Sequence, residues 1–64
     1  MNKKPRLEKI AKNMYFALDA RGFPVATIEK GKRGWEVVAK DRPTEFPSSF
    51  NRAKSYALSL AHRH

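Results

Sequence analysis

The chain has no cysteine, so disulfides and thiolate metal sites are excluded. That lack fits a reducing compartment, and a cytoplasmic location is the expectation. No apolar stretch approaches the roughly 20 residues of a membrane-spanning helix. The opening MNKKPRLEKIAKNM is basic and lacks the apolar block of a secretory signal. Acidic residues are also scarce, with six Asp and Glu against fourteen Lys and Arg. The remaining carboxylates, Asp19, Glu29, Glu36, Asp41 and Glu45 among them, are scattered, and no pair has a spacing that nominates an acid and a base. Serines 48, 49, 55 and 59 have no histidine partner outside the tail, so a nucleophilic triad lacks support. No phosphate-cradling glycine motif is present. The expectation is a protein that is not an enzyme and needs no cofactor.

What remains is a 64-residue chain with a formal charge of +8. A domain of this size buries only about 60% of the surface its unfolded chain exposes, so one thin core is all it can build. Residues 1–64 are read as a single small domain, with 1–4 frayed. The charge favours a polyanionic partner, nucleic acid above all. An acidic protein partner is the alternative, and a charge that only keeps the protein soluble is the bland one.

Spacing along the chain predicts the elements. Leu7, Ile10, Ala11, Met14 and Leu18 recur at intervals of three, one, three and four, which is one face of a helix. Pro5 suits a first turn, Gly22 a left-handed C-terminal cap, and Pro24 a stop. A helix over 5–21 is expected. Residues 25–29 and 35–39 are short, β-branched and bounded by turn formers, and read as two strands joined by KGKRG. Trp35, Val37 and Ala39 share one face of the second strand. A short third strand is expected over 44–46, flanked by Pro43 and Pro47 and so at a sheet edge. Ser48 or Ser49 caps a helix over 49–62, whose Phe50, Ala53, Ala57, Leu60 and Ala61 form the buried stripe. Phe46 and Phe50 are expected to pin the start of that helix into the core. The resulting architecture is α+β: a three-stranded antiparallel sheet with two helices packed on one face, in the order α-β-β-β-α.

SFNRAKSYALSLA resembles the second-helix signature of the double-stranded-RNA-binding domain, with Ser49, Ala53, Lys54, Ala57, Leu60 and Ala61 in matching places. GFPVATIEKG has the look of that family's first strand. The resemblance implies the same α-β-β-β-α order and a partner of double-stranded RNA. Where the family has two lysines after the serine, this chain has Phe50 and Asn51, with Arg52 next. A second likeness competes. GWEVVAKD…TEFPSSFNRAKSYALSLA is similar to the amino-terminal DNA-binding domains of tyrosine integrases, which lay their sheet into the major groove.

Three basic clusters are candidates for phosphate contact. Lys3, Lys4, Arg6, Lys9 and Lys12 lie along the first predicted helix; Lys30, Lys32 and Arg33 lie at the hairpin tip; Arg52 and Lys54 lie at the start of the last helix. The candidate nucleic-acid-binding residues are Lys9, Lys12, Lys30, Lys32, Arg33, Arg52 and Lys54, acting by electrostatic positioning rather than base readout. The alternative function is a small accessory protein that modulates another protein, with Tyr15, Phe16 and Tyr56 as its contact or homodimer patch. Trp35 is assigned to the core rather than to base stacking. His62 and His64 at the terminus do not make a dedicated metal site.

Overall fold

The structure, a computed structural model, describes residues 4–63. Residues 1–3, with the fraying and the Lys3 contact expected of them, and His64 lie outside it. Four strands run as an antiparallel meander in spatial order β1-β2-β3-β4: β1 Arg6–Ala11, β2 Met14–Leu18, β3 Pro24–Gly31 and β4 Gly34–Ala39. One helix, α1 Phe50–His62, closes the chain and packs across the sheet.

The α-β-β-β-α order is therefore wrong. No helix forms over 5–21; those residues make the β1–β2 hairpin. The physical reason lies at Lys12 and Asn13, the two turn residues. Asn13 has φ 58, a left-handed conformation that asparagine tolerates better than most residues. An extra residue on β1 between Lys9 and Ala11 bulges the strand, so that Lys9 faces Tyr15 while Ala11 faces Met14. Once reversed there, Met14–Leu18 pairs with β3 and places Tyr15 opposite Ile28 and Ala17 opposite Ala26. Ladder hydrogen bonds and burial of one sheet face thus prevail over a helical period that residues 7–18 also satisfy. Gly22 is not a helix cap. It has φ 91 in the β2–β3 turn, where Asp19 is the organiser. The buried Asp19 carboxylate accepts from the backbone N–H of Arg21 and of Phe23, both at 2.9 Å.

The hairpin expected over 25–39 forms, but its strands run closer to the tip. KGKRG shrinks to a two-residue turn, Lys32–Arg33, closed by the pair Gly31 and Gly34, with Gly34 at φ 102. Residues 44–46 do not form a strand. Glu45 makes an isolated bridge to Val37, its N–H donating at 3.0 Å and its carbonyl accepting at 2.9 Å. Pro43 and Pro47 prevent the ladder from extending, and the bridge covers part of the outer edge of β4.

Helix α1 begins where its cap predicts. Ser49 is extended, and its Oγ accepts from the Arg52 N–H at 3.2 Å. Ala53, Ala57, Leu60 and Ala61 are buried, and the alanines let the helix approach Ala17, Ala26, Ile28 and Val37 of the sheet. At the N-terminal end of α1, Phe50 packs on Tyr15 (ring centroids 5.0 Å apart) and on Trp35 (4.9 Å). Trp35 accordingly belongs to the margin of the core. Phe46 does not pin the helix: it is 51% exposed. Among the described residues no helix is long and apolar enough to cross a membrane.

Candidate nucleic-acid interface

A four-stranded meander puts alternate turns at opposite ends of the sheet. Lys12–Asn13 and Lys32–Arg33 therefore share one end, while the β2–β3 turn lies at the other. Neighbouring strands are about 4.8 Å apart, so the two basic turns stand on the order of 10 Å from each other. The Lys30 N–H donates to the Asn13 carbonyl at 3.0 Å, which ties the two hairpins together at this end. The Lys30 ammonium sits 5.9 Å from the Trp35 ring centroid, and the Arg33 guanidinium 5.7 Å from that of Phe46. These cation–π contacts orient two cations without neutralising them.

Phe50 stacks on Trp35 and Tyr15, so the N-terminal turn of α1 lies over the same end of the sheet. Lys54 follows one turn later on the Phe50 flank. Lys9 is paired with Tyr15 and so projects on the helix-bearing face at the β1 edge. Six of the seven candidates, Lys9, Lys12, Lys30, Lys32, Arg33 and Lys54, are thus drawn to one end or its helix-side margin. Arg52 is not one of them. It occupies the other flank of α1, in a hollow shared with Glu45, Pro47 and Tyr56.

The row of cations expected on a first helix does not exist, because that segment is a hairpin. Arg6 and Lys9 sit on opposite faces of β1, and Lys12 is in a turn. Three nitrogens that a helix would align are separated by strand alternation.

Glu45 shares the hollow of Arg52, and the other carboxylates lie at the far end of the sheet or on its opposite face. Asp19 and Asp41 are at the far end of the sheet, in the β2–β3 turn and just beyond β4. Backbone hydrogen bonding from Phe23 holds the Asp19 carboxyl below its ordinary value, against an opposing push from burial. Glu8, Glu29 and Glu36 are on the sheet face that α1 does not cover. Alternation along the second hairpin already puts Glu29 and Glu36 on that face; Glu8 escapes sequence reasoning because its segment reads as a helix.

Tyr15, Phe16 and Tyr56 do not form a common patch. Tyr15 is under the helix with Trp35 and Phe50, Phe16 is on the uncovered face, and Tyr56 is on the outer flank of α1. No protein-family model matches the chain, and no curated protein or solved structure matches it significantly.

Proposed function

We propose that this protein is a small nucleic-acid-binding module that grips phosphates with the two-turn end of its sheet and the adjoining flank of α1. One observation carries the reading: cations from three separate segments share that region, while Asp19 and Asp41 lie at the far end of the sheet and Glu29 and Glu36, although near the two turns, are on the opposite sheet face. Turns about 10 Å apart are close to one Debye length at physiological salt, so their fields add at a polyphosphate surface. Lys12, Lys32 and Arg33 reach forward; Lys9, Lys30 and Lys54 line the helix-side margin. Arg52 adds charge from the opposite flank. These contacts set position and carry no base code. A duplex, RNA or DNA, is the favoured partner, because paired strands present phosphates on both sides of a groove to the two turns.

Fluorescence anisotropy with labelled duplex RNA, duplex DNA and single strands, each at 50 and 200 mM salt, tests this. Four to six neutralised phosphates give a log–log salt slope of roughly −4 to −5 on B-form DNA. Lys32→Glu with Arg33→Glu is expected to weaken binding and make that slope shallower by about two. Absence of binding, or affinity indifferent to salt, would overturn the reading.

A further inference from the structure

The uncovered sheet face has chemistry opposite to that of the cationic end. Glu8, Phe16, Thr27 and Val38 form one cross-strand row, and Met14, Glu29 and Glu36 form the next. Half of the six acidic residues in a chain of charge +8 are on this one face. Glu29 and Glu36 are direct cross-strand partners, an opposition of like charges that folding by itself disfavours. Gly31 makes room for it: a Cβ there would come 3.2 Å from the Glu36 Oε1. Beside these carboxylates is a shallow apolar hollow lined by Phe16, Val25, Thr27 and Val38, and Val38 is 40% exposed. Lys40 stands at the far rim, and Arg6 shares the face two residues from Glu8, so the acidic part of the face is the Glu29–Glu36 end.

We propose that this face docks a basic, apolar polypeptide segment of a partner protein. An aliphatic side chain of the segment seats over Phe16 and Val38, and lysines or arginines on either side of it meet Glu8, Glu29 and Glu36. Charge complementarity selects the occupant. A polyphosphate is repelled by the glutamates. A second copy docking face to face opposes carboxylates with carboxylates. An inorganic or small amine cation leaves the apolar row uncovered, whereas an extended chain with alternating character covers both rows at the spacing of the sheet. The docking surface adjoins the cationic end but is on the opposite sheet face from α1.

The probe is a synthetic Lys-Leu-Lys-Val-Lys-Leu-Lys peptide, titrated into the full ¹⁵N-labelled chain, with glutamate-for-lysine and serine-for-aliphatic versions as controls. Amide shifts are expected at Phe16, Thr27, Glu29, Glu36 and Val38, with at least tenfold weaker binding of both control peptides. Glu29→Gln with Glu36→Gln is expected to weaken the peptide at least tenfold while the melting temperature holds or rises, because the cross-strand repulsion is removed. Val38→Thr, which keeps the side-chain shape, is expected to weaken it severalfold. Duplex nucleic-acid affinity of these variants should not fall, which separates failure of this proposal from failure of the nucleic-acid reading. Shifts absent from this face, equal binding of the glutamate peptide, or indifference to the double substitution would overturn it. Sedimentation showing self-association that the double substitution abolishes would overturn it too, by assigning the face to a second copy.

Discussion

Phe46 and Phe50 flank the same proline, yet the structure gives them unequal energetic roles. Phe50 is partly buried and touches two rings, while Phe46 is half exposed beside Arg33. A packed aromatic removes about 150 Å² or more from water, and at about 25 cal/mol per Å² the low figure gives roughly 3.8 kcal/mol. A realistic unfolded chain already hides part of that area and Phe50 is only partly buried, which lowers the value to about 2 kcal/mol. Two tilted ring contacts at 4.9 and 5.0 Å bring it back to about 3 kcal/mol. Phe50→Ala is therefore expected to destabilise by about 3 kcal/mol, and a domain of this size should lose on the order of 12–24 °C in Tm. Phe46→Ala should lose less than about 1 kcal/mol, since a half-exposed ring gives up little area. Urea and thermal denaturation followed by circular dichroism measure both. Equal losses, or a larger loss for Phe46→Ala, would refute the assignment of Phe50 as the sole anchor of the helix N-terminus. Because Phe50 also fixes where Lys54 stands, a folded Phe50→Leu variant should bind duplex more weakly than its stability alone predicts.

Two further outcomes follow from the turns. Asn13 sits at φ 58, so Asn13→Val should destabilise by about 1–2 kcal/mol while Asn13→Gly stays near neutral, as chemical denaturation will show. The Asp19 carboxyl is held below its ordinary value in the folded state, chiefly by the Phe23 N–H. Its contribution is thus complete above the unfolded pKa of about 3.9 and is lost as pH falls through the lower folded value. Asp19→Asn should reduce that acid-limb loss, and melts from pH 2 to 6 will report it.

The parts of the fold visible in the sequence are those with redundant local signals. A serine cap followed by Phe50, Ala53, Ala57, Leu60 and Ala61 at helical spacing defines α1 to within a residue of its start. β-Branched residues between glycines mark β3 and β4, and alternation puts Ile28 and Val37 on one face, where they are cross-strand partners. Residues 5–21 carried two compatible patterns. Leu7, Ile10, Ala11, Met14 and Leu18 fit a helix, but MYFAL is also a short apolar, aromatic run suited to a sheet, and Asn13 can reverse the chain without a glycine. Sequence periodicity has no means of weighing a helix against a strand whose partners, from Pro24 to Glu29, lie beyond the next turn.

The composition alone determined that the chain is strongly cationic, lacks thiols and can support one small core. It also determined the number and kind of cationic side chains, because charge belongs to each side chain wherever it stands. Tertiary structure decided which of those charges stand together. Strand pairing brought the Lys12 and Lys32–Arg33 turns to one end, sent Arg6 and Lys9 to opposite faces, and gathered three glutamates on the side without a helix. Electrostatic potential depends on distance through space, and in a sheet that distance is set by non-local hydrogen bonds that no local pattern specifies.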